Sequence, residues 1–162
     1  MEIKNIREEN FYEVAEIYKQ GIQMGIATFQ NVIPTWDSWD KSHLPHCRVA
    51  VVVNNEMAGW AALTPVSGRC VYAGVAEVSI YIAINFRGKG VGKFLLNNLI
   101  IQSEQAGLWT LQSGIFAENI ASIMLHKKCG FRQVGVREKI GKKDTSWKDN
   151  IIMERRSKVV GI

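Results

Sequence analysis

The sequence predicts a mixed α/β fold in which helices flank one central sheet. Strand and helix patterns alternate through the middle of the chain, which is typical of at least one right-handed parallel crossover. The outer parts contain strand pairs joined by short turns, which is typical of antiparallel hairpins. The 162 residues are 47% hydrophobic, which is enough for a core in a single domain over residues 1–162.

The first half of the chain contains a strand, two helices and a hairpin. These elements are predicted at residues 2–7 (strand), 9–22 and 35–44 (helices), and 47–53 and 57–63 (paired strands). Thr35 stands where a helix N-cap is expected. Asn54 and Asn55 separate the two paired strands, and Asn favours the backbone conformation of a tight hairpin turn.

The second half contains two strand–helix units followed by a terminal strand pair. These elements are predicted at residues 76–84 (strand), 91–107 (helix), 109–116 (strand), 121–130 (helix), and 131–141 and 146–156 (strands). Gly107 and Gly130 stand where a glycine commonly ends a helix. Asn119 or Ser122 opens the last helix, because either side chain can accept a backbone hydrogen bond there.

The formal net charge is +5, which is compatible with an acidic ligand but is also common in proteins without one. No basic stripe is interleaved with aromatic residues, so we expect no nucleic-acid partner. No apolar run approaches the length of a membrane span, and the first ten residues contain no signal-like apolar segment. Three cysteines without CxxC spacing fit free thiols in a reducing compartment. We therefore expect a cytoplasmic protein without a membrane partner.

A glycine-rich basic segment joins a predicted strand to a predicted helix in "IYIAINFRGKGVGKFLL", residues 80–96. It does not match a Walker A loop, because only three residues separate Gly88 from Gly92 and no Ser or Thr follows the next lysine. It does not match a dinucleotide fingerprint, which needs a further glycine and a more distant acidic residue. What remains is Arg87-x-x-Gly90-x-Gly92 before a helix, a pattern whose backbone N–H groups can face an anion such as a pyrophosphate.

The Arg-x-x-Gly-x-Gly pattern after an apolar strand resembles the acetyl-CoA pyrophosphate loop of the GNAT N-acetyltransferase superfamily. A second signature of that superfamily, an Asn that opens a helix ending in Gly-Phe, occurs as "NIASIMLHKKCGF" from Asn119 to Phe131. The segments "GIATF", "AEVSIYI" and "VGVREKIGKKDTSWKD" are similar to the phosphinothricin acetyltransferase branch. The two motifs stand in the family's order, and the likeness spans nearly the whole chain.

This resemblance implies a mixed, mostly antiparallel central sheet that is splayed where strand 76–84 runs beside strand 109–116. It implies an acetyl-CoA-dependent N-acetyltransferase with acetyl-CoA as co-substrate, no metal, and assembly as a homodimer. The residues matched to the cofactor site are Ser79, Ile80, Tyr81, Ile82, Arg87, Gly88, Lys89, Gly90, Val91, Gly92, Lys93, Asn119 and Ser122. The strand residues are expected to offer backbone N–H groups, and Asn119 a side-chain hydrogen bond to the pantetheine arm.

The chemistry benefits from a base, because an acceptor amine must be neutral to attack the acetyl group. Glu77 begins a strand of otherwise apolar and small residues, where partial burial would raise a carboxylate pKa. It also matches the glutamate that the family uses as general base, directly or through water. The leaving thiolate benefits from an acid near the sulfur. Many GNAT enzymes use a tyrosine where this chain has His126, so His126, Tyr81 and water remain open for that role.

The resemblance also implies a small anionic amino-acid analogue as acceptor, of the phosphinothricin or methionine sulfoximine type. Arg69 offers a planar fork for a carboxylate or phosphinate, and Ser67 and Tyr72 add hydroxyl donors in the same segment. Thr28 and Phe29 are expected on the other side of the pocket. Alternatives are another amine or a peptide as acceptor, or a non-catalytic CoA-binding module.

Several other conspicuous residues have less specific interpretations. His43 lacks metal-ligand partners at useful spacing and is interpreted as a surface residue. Trp36 and Trp39 are predicted to pack in the core rather than to line a substrate mouth. Trp147 and Asp149 match the family tail, where an interface between two copies and a contact with substrate are both open.

Overall fold

The computed structural model describes all residues from Met1 to Ile162. The strands are β1 (Glu2–Asn5), β2 (Val49–Val53), β3 (Glu56–Pro65), β4 (Val75–Ile82), β5 (Thr110–Phe116), β6 (Arg132–Lys143) and β7 (Ser146–Arg156). The helices are α1 (Phe11–Met24), α2 (Trp36–Ser42), α3 (Val91–Gln105) and α4 (Ile120–Lys128). The strands form one sheet in the order β1-β2-β3-β4-β5-β7-β6. Only the β4–β5 pair is parallel, which confirms the predicted mixed, mostly antiparallel sheet.

Local signals in the sequence correspond to the observed ends of elements. Asn54 and Asn55 have φ of 51° and 65°, the left-handed conformation that a tight hairpin turn requires at both positions. Thr35 caps α2, because its hydroxyl accepts a hydrogen bond from the Ser38 N–H at 3.3 Å. Asn119 caps α4 in the same way, its Oδ1 accepting from the Ser122 N–H at 3.2 Å.

Each face of the sheet carries its own hydrophobic core. The larger core contains 21 buried residues and includes Leu95 and Leu99 of α3 and Ile123 of α4. The smaller core contains 10 buried residues on the α1 and α2 side and includes Trp39 and Trp60. Trp39 is buried in this core as predicted, but it also lines the cavity beside Glu77, so the prediction that it would not line a substrate mouth is wrong. No helix is long and apolar enough to cross a membrane.

The sheet is splayed between its two parallel strands. The β4–β5 ladder runs only from the pair Val75–Thr110 to the pair Glu77–Gln112. Beyond that pair, β4 stays bonded to β3 as far as Ile82, and β5 stays bonded to β7 as far as Phe116. The two strands therefore leave an opening in the middle of the sheet, as the resemblance implied.

The two tail residues that match the family lie on β7. Asp149 Oδ1 accepts a hydrogen bond from the Lys139 N–H at 2.8 Å, where the β6–β7 register shifts between Arg137 and Gly141. This contact gives Asp149 a structural role in β6. Trp147 is 56% exposed, and the predicted homodimer stays a prediction.

Candidate active site

Two cavities meet at the opening between β4 and β5. The central cavity has a volume of about 550 Å³ and surrounds the residues of the opening itself. The loop groove has a volume of about 510 Å³ and follows the segment between β4 and α3. Both are lined by Ala27, Ile80, Tyr81, Asn119 and Ser122. The shared lining shows that the two cavities adjoin at the opening.

The loop groove ends at a row of free backbone donors. None of the six N–H groups from Gly88 to Lys93 donates to a protein acceptor, and these six groups are here named the anion cradle. Gly88 and Gly90 have φ of 73° and 83°, which an L-residue rarely adopts. The cradle lies at the N-terminus of α3, where the helix dipole adds a partial positive charge. This arrangement is suited to a phosphate or pyrophosphate.

Side chains around the anion cradle have separate functions. Arg87 Nε donates to the Ile82 carbonyl at 3.0 Å, which ties the loop to the end of β4. A Cβ on Gly92 would lie 3.1 Å from a methyl carbon of Leu125, so Gly92 allows α3 and α4 to pack closely. Lys93 and Lys128 line the groove, and Lys128 was not among the predicted residues.

Two other predicted cofactor residues do not turn their side chains to the groove. Lys89 Nζ lies 5.9 Å from the centre of the Phe86 ring and is not part of the groove lining. Val91 is buried in the larger core. Both contribute their backbone N–H groups to the cradle.

The edge of β4 that faces β5 offers backbone groups to the opening. The Ala83 N–H donates to the Ala58 carbonyl of β3 at 2.9 Å, and successive N–H groups along a strand point to alternate edges. The N–H groups of Ile80 and Ile82 therefore face the opening. The side chain of Ser79 lines the central cavity.

Glu77 lies at the point where the two strands separate. It is half-buried and lines the central cavity. Its Oε2 accepts a hydrogen bond from Gln112 Nε2 at 3.0 Å, which fixes the carboxylate and leaves Oε1 free for a ligand or water. No Lys or Arg lines the cavity, so Glu77 is its only fully charged side chain.

His126 is buried at the wall of the central cavity. Its exposed fraction is 1%, and its Nδ1–H donates to the Ser122 carbonyl at 2.8 Å. Nε2 then carries the lone pair, and no hydrogen bond reaches it. Burial lowers the pKa of His126 below its ordinary value, so the imidazole is neutral near pH 7 and its free nitrogen accepts a hydrogen bond rather than donating one.

Tyr81 lines both cavities. Its ring stacks on Trp60 with centroids 4.9 Å apart and contacts the Tyr18 ring edge-on at 4.8 Å. Burial, with Tyr18 beside it, raises the pKa of Tyr81 above its ordinary value. The phenol therefore keeps its proton and can donate it in a hydrogen bond.

The predicted acceptor residues fall into two groups. Thr28 and Phe29 line the central cavity, as expected. Ser67, Arg69 and Tyr72 lie on the β3–β4 connection outside both cavities. There the Arg69 guanidinium stands 5.5 Å from the Tyr72 ring centre, and the Ser67 hydroxyl accepts from the Arg69 N–H at 3.2 Å. The position of Arg69 in this chain therefore does not support its predicted role in binding the anionic group of the acceptor. That role stays a prediction.

Several residues that line the central cavity were not predicted for it, among them His43 and Asn150. His43 was interpreted as a surface residue, which is wrong, because it is half-buried, lines the cavity and stacks on Trp39 at 4.1 Å. Asn150 of β7 also lines the cavity. Neither residue lies in a motif, and only the tertiary pairing of distant elements brings them beside Glu77. No group of three or more His, Cys, Asp or Glu side chains could hold a metal ion.

Comparison with known proteins gives concordant matches. Residues 4–131 match the Acetyltransferase (GNAT) family. The chain is 30% identical over 166 residues to phosphinothricin N-acetyltransferase from Alcaligenes faecalis, covering 94% of this chain and 81% of that protein. It is 36% identical over 83 residues to L-methionine sulfoximine/L-methionine sulfone acetyltransferase from Pseudomonas paraeruginosa, covering 51% and 48%. The crystal structure of an N-acetyltransferase from Staphylococcus aureus Mu50 superposes with a TM-score of 0.87 at 27% identity, covering 96% and 97%.

Proposed function

The chain belongs to the acetyltransferase (GNAT) family, and from this membership we propose that it transfers the acetyl group of acetyl-CoA to the α-amino group of a small amino-acid-like acceptor. Acceptors of the phosphinothricin or methionine sulfoximine type are supported by the names of relatives that align with it. The reaction is direct attack of the amine on the thioester carbonyl, with Glu77 as general base.

The observation that carries this proposal is that the loop groove and the central cavity adjoin and share five lining residues. The anion cradle at one end suits the pyrophosphate of CoA. The open edge of β4 leads from the cradle to the central cavity, so an extended pantetheine arm can pair with the N–H groups of Ile80 and Ile82. Such a path delivers the acetyl group to the side of the opening where Glu77 lies.

Glu77 is suited to remove a proton from the acceptor. A free α-amino group has a pKa of about 8, so most of it is protonated at pH 7 and cannot attack. An ammonium group is attracted to a cavity whose only charged side chain is a carboxylate. Because Gln112 holds Oε2, Oε1 can take the proton directly or through one water molecule.

The tetrahedral intermediate and the leaving thiolate need hydrogen-bond donors in addition to Glu77. Backbone N–H groups on the open edge of β4 are donors for the oxyanion. For the thiolate, Tyr81 is the better hydrogen-bond donor, because neutral His126 has its only N–H committed to Ser122, but the raised pKa of Tyr81 disfavours full transfer of its proton. Water stays open as an alternative donor. Nε2 of His126 is suited to orient that water or a ligand N–H.

The test is a thiol-release assay with acetyl-CoA and a panel of acceptors. The panel contains phosphinothricin, methionine sulfoximine, glutamate and a neutral alkylamine. We expect the highest kcat/KM with one of the first two. Release of CoA with none of the four would contradict the proposal, whereas a preference for the alkylamine would contradict only the amino-acid acceptor.

A further inference from the structure

The side-chain oxygen of the half-buried Asn150 has no hydrogen-bond partner in the protein. This atom, Oδ1, is fully buried and accepts no hydrogen bond. Only three other buried side-chain atoms share this property, Trp39 Nε1, Trp60 Nε1 and His126 Nε2, and all four residues line the central cavity. Unpaired buried polar atoms destabilise a folded protein. All four atoms belong to residues that line one cavity, so a small shift of the cavity wall on ligand binding would give them a polar partner.

The register of the sheet places Asn150 on the same face as Glu77. Asn150 pairs with Phe116 across β7 and β5, and Gln112 lies four residues earlier on β5, on the same face. Gln112 in turn pairs with Glu77 and bonds to its carboxylate. Asn150 does not line the loop groove, so it belongs to the acceptor side of the opening.

Gly114 provides the space that the Asn150 side chain occupies. A Cβ on Gly114 would lie 2.9 Å from Nδ2 and 3.1 Å from Oδ1 of Asn150. Any larger residue at position 114 would therefore displace the amide. The observed position of the Asn150 side chain beside the cavity therefore requires a glycine at position 114.

We propose that Asn150 is a specificity-determining residue whose Oδ1 accepts a hydrogen bond from the amino group of the acceptor. This inference rests on the proposed function, since it needs an amine in the central cavity. An ammonium group has three N–H donors, so it can bond to the Glu77 carboxylate and to Asn150 Oδ1 together. Two hydrogen-bond acceptors on one face of the sheet orient the amine. They discriminate against substrate groups that lack a second N–H donor.

Two substitutions of nearly equal shape test the inference. Asn150→Leu removes the accepting oxygen, whereas Asn150→Asp keeps an oxygen at the same place. With methionine sulfoximine or phosphinothricin, whichever the wild type prefers, we expect Asn150→Leu to raise the acceptor KM about tenfold or more, the effect of losing a hydrogen bond to a charged group. Asn150→Asp should stay within about threefold of wild type. The acetyl-CoA KM should stay within twofold of wild type in both variants.

A second readout separates recognition from a structural role. Replacing an unpaired buried amide by an apolar group of similar shape is neutral or stabilising, so the Tm of ligand-free Asn150→Leu should equal or exceed that of wild type. A lower Tm, an unchanged acceptor KM, or equal increases of that KM in both variants would each overturn the inference. If the Leu variant does not fold, Asn150→Ala provides the KM comparison alone, because its smaller side chain leaves a cavity that lowers the Tm by itself. Inactive wild type with every acceptor overturns the proposed function itself, while an active wild type with an unaffected Asn150→Leu overturns only the role of Asn150.

Discussion

Gly90→Ala tests the anion cradle through the backbone alone. Gly90 has φ of 83° and directly precedes the first residue of α3. An added Cβ would meet no atom within 4 Å, so the substitution introduces backbone strain without a collision. The left-handed conformation costs an L-residue about 1–2 kcal/mol.

The strain should appear mainly in CoA affinity, because the only hydrogen bond that holds Gly90 in the free protein is the one its carbonyl accepts from the Phe94 N–H at 3.1 Å. Since the six N–H groups of the cradle make no hydrogen bond to the protein, the loop can relax when no ligand is bound. Binding must then restore the left-handed conformation at position 90. A cost of 1–2 kcal/mol corresponds to a Kd for CoA that is about 5- to 30-fold higher than that of wild type.

Gly107→Ala is the matched control at the other end of α3. Gly107 has φ of 81°, and a Cβ there would also meet no atom within 4 Å. Its N–H donates to the Glu104 carbonyl at 3.0 Å, so the fold holds this residue whether or not ligand is bound. The strain should therefore lower the Tm by about 2–8 °C for a chain of this size and leave the Kd for CoA unchanged.

Isothermal titration with CoA and thermal unfolding of the three proteins measure both quantities. The expected pattern is weaker CoA binding in Gly90→Ala and lower stability in Gly107→Ala. Wild-type CoA affinity in Gly90→Ala, or the same loss of affinity in both variants, would refute the assignment of the cradle.

Three further predictions concern the central cavity. Glu77→Gln should lower kcat by about 10²-fold or more and leave acetyl-CoA binding unchanged. The loss of kcat should be smaller at higher pH, where more of the amine is neutral. A wild-type kcat at pH 7 would contradict the role of the carboxylate. Burial lowers the pKa of His126 and of His43 below the ordinary value of 6.5. The unfolded chain therefore binds protons that the folded chain does not, and the free energy of unfolding should fall as the pH drops below about 6.5. In urea titrations His126→Asn should flatten this decline, and an equally steep decline would contradict the effect. Lys143→Met should raise the acceptor KM several-fold without changing the acetyl-CoA KM. The reason is that buried Lys143 Nζ donates to the Gln30 carbonyl at 2.7 Å and so holds the segment that contains Phe29. The control is Lys142→Met at the adjacent exposed position, and equal effects of the two substitutions would exclude this positioning role.

Much of the fold could be predicted because its signals are local. The Asn54–Asn55 turn, the Thr35 cap and the glycine after α3 each act within a few residues, and each lies where the sequence indicated. Apolar runs of strand length also identified the central strands, because a strand such as β3 is buried on both faces of the sheet. The position of the splay came from the family resemblance, since both strands read as ordinary alternating runs.

The two halves of the site differed in how far the sequence revealed them. The anion cradle on the cofactor side lies on one continuous segment, and its glycines and the adjacent arginine are visible as a pattern. The acceptor side is assembled from α2, β4, β5, β7 and the segment after α1, so its residues share no spacing. Arg69 was predicted from chemical suitability within its segment, yet that segment lies outside the cavity, whereas His43 lacked any motif and lies in its wall.

The groups without partners explain why such a site escapes prediction from sequence. Whether a donor or acceptor is satisfied depends on which elements pack around it, and that is settled only by the tertiary structure. Here the free donors of the cradle, the open edge of β4, Nε2 of His126 and Oδ1 of Asn150 belong to residues around two adjoining cavities. A ligand with an anionic end, an extended amide-bearing arm and a reactive end near an amine would satisfy these groups in that order. Acetyl-CoA and an amine acceptor have that chemistry, so the unpaired groups and the family membership lead independently to the same reaction.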